Sequence, residues 1–285
     1  LGMVLSSRLS RSFVAPIERL AHDMDGAGGQ QTAASYPELV PLMDTIRSQH
    51  EAIVKNADMR QEFTANVSHE LKTPLTSISG YAELIETGIA KPEDTPGFAR
   101  KIHVEASRMI QLVNDILQLS HLDNVSETGA APAMETVDLL DVARECVERQ
   151  KVNARHSYIS LTYLGESAPV TGSRVLLDEL CQNLCDNAIR YNRPGGKVQI
   201  ITACTRDGHC TLTVKDNGIG IPKEAQTSVF ERFYRVDKSR SKATGGTGLG
   251  LAIVKHIARI HNARIKLDSV VDEGTTITVI FETAS

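Results

Sequence analysis

Ser68-His69-Glu70-Leu71-Lys72-Thr73-Pro74-Leu75 sits inside a long run of apolar residues spaced alternately three and four apart. From Ile46 onward, Ile53, Ala57, Thr64, Val67, Leu71, Ile78, Tyr81 and Ile85 fall on one heptad-like stripe, which predicts a helix seeking a partner. His50 and Arg60 share the register, so the seam is imperfect before Phe63. Pro74 removes one backbone hydrogen bond and predicts a local kink. Gly88 and the segment Lys91–Gly97 turn the chain, and Ile102, Ala106, Met109, Val113, Ile116 and Leu119 then form a second stripe. This is a helical hairpin. Two helices alone bury little, so stripes on both predict that two hairpins pair into a homodimeric four-helix bundle.

Upstream, a short amphipathic segment from Ser6 to Leu20 carries Pro16-Ile17-Glu18-Arg19-Leu20 and is broken by Gly26-Ala27-Gly28-Gly29. A helix is expected to start near Tyr36-Pro37-Glu38. No apolar run approaches the roughly 18 residues needed to span a bilayer, and no signal-peptide pattern is present. Leu1-Gly2-Met3-Val4-Leu5 reads as the last turn of a membrane helix whose remainder lies outside this chain.

Downstream, Asn124 to Pro132 is rich in small and polar residues and marks the best domain boundary. Beyond it, strand-like runs at Tyr158–Leu164, Val198–Cys204, Cys210–Val214, Ile265–Val270 and Thr275–Phe281 alternate with helix-like segments near Leu139–Asn153, Arg174–Tyr191 and Leu249–Ile260. That alternation predicts an α/β sandwich. The fold class is therefore multidomain, α followed by α+β: a hairpin of a dimeric bundle and then a sandwich.

The chain's 285 residues carry 41% hydrophobic and 23% charged residues, ordinary values for about two globular domains. With 31 basic against 35 acidic residues the net charge is −4, which gives no surface suited to neutralising a nucleic-acid backbone. Five cysteines without C-x-x-C spacing argue against a disulfide framework and a zinc ribbon, and for a reducing cytosol. Cys181 and Cys185 share a helix face and read as small buried hydrophobes, and Cys146, Cys204 and Cys210 carry no signal.

Three groups of residues carry chemistry. A lone surface histidine is most often solvated, but a neutral imidazole is a good nucleophile near pH 7, and an adjacent carboxylate can hold its second nitrogen protonated. Glu70 stands in that place beside His69, and Thr73, one turn on, shares the face and could position a water. In the second domain Asn183 and Asn187 lie at i and i+4, with Arg190 and Tyr191 a turn beyond. Amide oxygens suit Mg²⁺, a hard cation that keeps waters while bound to phosphates. Asp216-Asn217-Gly218-Ile219-Gly220 ends a strand, where Asp216 could accept from an exocyclic amine. Gly245-Gly246-Thr247-Gly248-Leu249-Gly250-Leu251 opens a helix whose N–H groups could face phosphate. Between these glycine sets, Phe230-Glu231-Arg232-Phe233-Tyr234-Arg235 leads into Lys238, Arg240 and Lys242, a basic loop that reads either as a lid or as a solvated charged segment. G-x-x-x-x-G-K-[ST], H-R-D, D-F-G and H-E-x-x-H are all absent from the sequence.

In this order and spacing the residues resemble a bacterial two-component sensor histidine kinase. Ser68–Leu75 resembles its H box, Asn183–Tyr191 its N box, Asp216–Gly220 its G1 box, Phe230–Arg235 its F box and Gly246–Leu251 its G2 box. Eight specified H-box positions recur by chance roughly once in ten billion sites at average residue usage. The resemblance implies a dimerisation and phosphoacceptor domain followed by the Bergerat-type ATP-binding sandwich shared with gyrase, Hsp90 and MutL. It divides the chain into a HAMP-like signalling linker (1–55), a dimerisation and histidine phosphotransfer domain (56–124), a linker (125–134) and a catalytic domain (135–285). Tyr36–Leu42 is similar to phosphate-regulon-type sensors.

Carried over, His69 accepts the γ-phosphoryl group of ATP, Glu70 is its general base and Thr73 orients water for dephosphorylating the partner. Asn187 ligates Mg²⁺. Asn183 and Arg190 support the phosphates, Tyr191 lies against the adenine, Asp216 reads its amino group, and Arg235, Thr247 and Leu249 are further nucleotide-binding residues. Gly218, Gly220, Gly246, Gly248 and Gly250 let the lid and backbone close in. The implied activity is ATP-dependent autophosphorylation on His69 and transfer to an aspartate of a response regulator, with regulator phosphatase activity beside it. The implied partners are a second copy of the chain, a receiver domain and, through N-terminal segments, the bacterial inner membrane, of which this chain is the cytoplasmic portion. In gyrase-like relatives a glutamate stands where Asn183 stands here, and an amide is no base at neutral pH. A non-catalytic scaffold, a dedicated phosphatase and a gyrase-like ATPase clamp remain as alternatives.

Overall fold

A computed structural model describes residues 40–128, 132–205, 208–236 and 246–282. The HAMP-like segment through residue 39, with its glycine-rich break and its Tyr36 helix start, lies outside them, as do Lys238, Arg240 and Lys242. The chain divides into two compact units, Leu1–Ser68 and His69–Ser285.

Helix α1 spans Val40–Glu86 and runs through Pro74 without interruption. The lost amide bond is local, and helical hydrogen bonding resumes on either side. In the first unit the helix surface is largely exposed, and Thr64 Oγ1 and Ser68 Oγ donate to the carbonyls of Arg60 and Thr64. In the second unit Gly88 takes a left-handed φ of 70° and the chain turns into α2, Thr95–Thr128. Tyr81 and Phe98 stack across that turn at 5.5 Å, with Lys101 Nζ 5.1 Å from the Tyr81 ring. Helix α2 extends to Thr128, four residues into the segment read as linker. Leu112, Asp115, Leu119 and Leu122 are buried along it at helical spacing.

The remainder of the second unit is β1 (Glu135–Asp138), α3 (Leu139–His156), β2 (Ser160–Gly165), β3 (Pro169–Gly172), α4 (Arg174–Arg190), β4 (Lys197–Cys204), β5 (His209–Asp216), α5 (Gly250–Ile260), β6 (Arg264–Val270) and β7 (Gly274–Glu282). The larger sheet has the order β2-β4-β5-β7-β6, parallel only between β2 and β4. In β4, β5 and β7 buried residues alternate with partly exposed ones, so one face of the sheet is covered. Helices α3, α4 and α5 supply the cover with Val142, Leu177, Leu180, Leu184, Ile253 and Ile257, each almost wholly buried.

Periodicity did not signal β1 and β3. These four-residue strands form a separate antiparallel pair. Asp138, which ends β1, caps α3: its Oδ1 accepts from Leu140 N and Ala168 N, both at 2.9 Å.

The cysteine expectation needs one correction. Cys204 and Cys210 form a disulfide, because the β4–β5 register sets them directly opposite one another. Their separation of six residues belongs to no sequence motif, and only the strand pairing brings them together. Cys146, Cys181 and Cys185 are free and buried. Among the described residues no cluster of His, Cys, Asp and Glu could hold a metal ion, and no helix is long and apolar enough to cross a membrane.

Candidate active site

Helix α4 is amphipathic, and its two faces have different tasks. Leu177, Leu180, Leu184 and Ala188 bury one side, and this leaves Asn183 and Asn187 half-buried on the wall of a cavity of about 590 Å³. Arg190, Tyr191, Asp216, Gly220, Arg235, Gly246, Thr247, Gly248 and Gly250 line the same cavity, so segments distant in sequence meet there. Its apolar part comes from Ile219, Ile221, Val229 and Ile277.

Asp216 does local work as well. Its Oδ1 accepts from Gly218 N at 2.8 Å and from Thr275 N at 3.3 Å, which ties the turn after β5 to the start of β7. Burial raises its pKa, and those two bonds pull it back. Gly218 and Leu249 do not line the cavity: Gly218 acts through Asp216, and Leu249 is buried at the head of α5.

The glycine turn ahead of α5 lies close against α4. A Cβ on Gly246 would stand 3.0 Å from Tyr191 Oη and 3.2 Å from Arg190 Nη1. One on Gly250 would stand 3.1 Å from Asn183 Oδ1 and 3.5 Å from Asn187 Nδ2. Glycine therefore leaves room beside both amides, with Asn183 turning its oxygen and Asn187 its nitrogen toward Gly250; an amide oxygen is the kind of ligand that a hard cation such as Mg²⁺ takes.

His69 is exposed on α1 and lies outside the cavity wall. Thr73 Oγ1 donates to the His69 carbonyl at 3.2 Å. Glu70 is engaged away from the imidazole: its Oε2 lies 3.1 Å from Arg235 Nη2 and 3.6 Å from Arg108 Nη2. The Arg235 side chain is only 6% exposed, so this ion pair is well shielded from solvent.

Residues with no sequence signal complete the arrangement. Asp115 on α2 is 8% exposed and accepts from Thr247 Oγ1 at 2.6 Å and from Gln111 Nε2 at 2.7 Å. Near the end of α2, Asp123 accepts from Arg232 Nη2 at 2.8 Å, and the same nitrogen lies 3.3 Å from His256 Nε2. Burial lowers the His256 pKa, favouring the neutral ring that this contact requires. Burial and the charge of Asp115 push the Glu179 carboxyl up to about 7. A lone aspartate on a helix has no motif, so sequence reading passes over it.

Both parts of the described chain match known domain families. Residues 59–125 match the His Kinase A (phospho-acceptor) domain, and residues 172–285 match the histidine kinase-, DNA gyrase B- and HSP90-like ATPase. The chain belongs to the sensor histidine kinase family. It is 44% identical over 225 residues to the sensor-like histidine kinase SenX3 of Mycolicibacterium smegmatis, covering 77% of this chain and 56% of that protein. It is 40% identical over 220 residues to the sensor protein kinase WalK of Staphylococcus haemolyticus, covering 76% of this chain and 36% of that protein. The chain thus spans about half the length, or less, of these curated relatives. Among solved structures, the Acinetobacter baumannii histidine kinase AdeS aligns at TM-score 0.59 and 24% identity, over 76% of this chain and 98% of that one. Histidine kinase ThkA, in complex with response regulator protein TrrA, aligns at TM-score 0.64 and 22% identity, over 84% of this chain and 66% of that one. At those identities the two structures speak for the fold alone. A histidine kinase fold accounts for both halves of the described chain: a hairpin bearing His69, and a sandwich with a cavity lined by amides and glycines.

Proposed function

We propose that the chain is the kinase portion of a two-component sensor: it transfers the γ-phosphoryl group of ATP to His69 and then to an aspartate of a response-regulator receiver domain. The observation that carries this reading is the convergence of Asn183, Asn187, Arg190, Asp216 and the Gly246–Gly250 turn on one cavity, in the same unit as an exposed His69. An imidazole nitrogen forms the P–N bond as the bond from phosphorus to ADP oxygen breaks. The proton on the other ring nitrogen passes to Glu70, once that carboxylate has left Arg235. Asp216 and Tyr191 receive the adenine, Arg190 and Arg235 face the phosphates, and Asn187 holds Mg²⁺, whose charge offsets that of the phosphates. Asn183 cannot act as a base at neutral pH, so water competes poorly for the phosphoryl group.

The apolar residues left open on α2 support homodimer pairing. Ile110, Val113 and Leu117 are 64%, 43% and 64% exposed at helical spacing. On this reading residues 1–55, 56–124, 125–134 and 135–285 are the linker, phosphotransfer domain, second linker and catalytic domain. On this reading the chain is also the cytoplasmic portion of a plasma-membrane protein. A phosphatase role through Thr73 is a second reading, favoured by that hydroxyl's exposed position one turn from His69.

The test is incubation of the chain and its His69→Gln variant with γ-labelled ATP and Mg²⁺. Acid-labile, alkali-stable label in the parent alone is expected. Equal label in the variant would overturn the assignment of His69, and steady ATP hydrolysis without labelled protein would favour an ATPase.

A further inference from the structure

Asp115 is an unusual resident of its stripe. Leu112, Leu119 and Leu122, its neighbours along the buried face of α2, are apolar and nearly inaccessible. A carboxylate among them is retained at a desolvation cost unless something across the contact holds it. What holds it belongs to the nucleotide cavity. Thr247 Oγ1, in the glycine turn, donates to Oδ2 at 2.6 Å, and Gln111 Nε2 donates to Oδ1 at 2.7 Å. The positive charge of Arg190 acts on the same group. Asp115 and Gln111 are themselves part of the cavity wall, together with Asn183, Asn187 and Gly248.

The hydroxyl of Thr247 also accepts from Leu249 N at 3.3 Å, so Asp115 sets the shape of the turn through it. An anion from α2 therefore occupies the Thr247 hydroxyl and sits in the field of Arg190, the two groups that anionic phosphates at this turn would use. Glu179, on the α4 side, is also acidic and feels the charge of Asp115. Bringing phosphates to this end of the cavity would place like charges together at a poorly solvated site.

We propose that Asp115 is an internal competitor for the phosphate end of the nucleotide site, so that seating α2 on the glycine turn and binding a nucleoside triphosphate oppose each other. The inference rests on the ATP-binding reading above and adds its regulation. Thermodynamic linkage makes the opposition reciprocal: nucleotide loosens α2, and anything that holds α2 down weakens nucleotide binding. Release of α2 would also ease Glu70 from Arg235, leaving the carboxylate next to His69 available.

Calorimetric titration of the whole chain with a non-hydrolysable ATP analogue and Mg²⁺ tests this. Asp115→Asn keeps the size of the side chain and an acceptor for Thr247 while removing the charge, and should bind about tenfold more tightly than the parent, within the usual range of such coupling. Gln111→Met, which removes the 2.7 Å bond, should shift affinity in the same direction by less. Amide exchange over residues 111–123 should rise when the analogue is added to the parent, and should start high in Asp115→Asn. Equal or weaker affinity in Asp115→Asn, with the parent binding normally, would overturn the competitor role and leave the ATP site standing. No binding by either chain would take down the ATP-binding reading and the inference with it.

Discussion

Asp216 has a structural task and, on the proposed reading, a second one in receiving adenine, and substitution can separate the two. Its Oδ1 accepts the Gly218 and Thr275 amides, at 2.8 and 3.3 Å. Asp216→Ala would leave both backbone donors without that acceptor in a partly buried corner. At about 1–3 kcal/mol for each unsatisfied group, discounted for the longer bond and for partial exposure, the loss is about 2–4 kcal/mol. For a unit of this size that corresponds to a fall of roughly 4–16 °C in melting temperature. Asp216→Asn keeps a carbonyl oxygen for the same two amides and removes a carboxylate that burial already disfavours, so its melting temperature should stay within a few degrees of the parent. The Asn variant should nonetheless fail with nucleotide, because an amide bonded in this way turns its NH₂ toward the cavity, where an adenine amine also donates. Loss of a charge-assisted hydrogen bond and a donor facing a donor together amount to about 1.5–3 kcal/mol, or roughly 10- to 150-fold in Kd. Thermal melts and calorimetric titration with ADP and Mg²⁺, on all three chains, provide the assay. Parent-like affinity in Asp216→Asn would refute adenine recognition by this residue, and a melt as low as that of the Ala variant would refute the geometric role assigned to Oδ1.

Glu179 titrates near 7 in the folded chain against an ordinary value of 4.5, so folding takes up a proton there. Its contribution is complete below about 4.5 and is lost as pH rises through 7; relative to Glu179→Gln, the parent should melt progressively lower between pH 5 and 8, and parallel curves would contradict this. The Cys204–Cys210 bond closes a short loop, so reduction or Cys210→Ser should lower stability by about 2 kcal/mol, read as a shift in denaturant midpoint with and without reductant. Gly274 has φ of 120°, and a Cβ there would run into the Asp216 carbonyl; Gly274→Ala should destabilise by about 3 kcal/mol, and an unchanged melting temperature would contradict that geometry. Thr73→Ala should leave autophosphorylation on His69 near the parent rate while slowing dephosphorylation of a phosphorylated receiver domain at least tenfold; equal dephosphorylation rates would remove Thr73 from that role.

Much of this protein is written in local pattern. The stripes around Leu71 and Met109 give a helical hairpin because helix periodicity depends only on residues three and four apart. Asn183 and Asn187 are legible as a pair for the same reason, and the glycines around Thr247 stand out because few other residues let a backbone approach so closely. Other features depend on which elements dock and in what register, and no local pattern encodes that. Asp115 meets Thr247 across 132 positions, Asp123 meets Arg232 across 109 and Glu70 meets Arg235 across 165. Cys204 faces Cys210 through strand register, and β1 pairs with β3 although each is too short to show alternation. The histidine, amide and glycine motifs are thus local in sequence, whereas the engagement of Glu70 and the entry of Asp115 into the cavity wall were decided by how the hairpin packs against the sandwich, where long-range charge and hydrogen-bond partners are chosen.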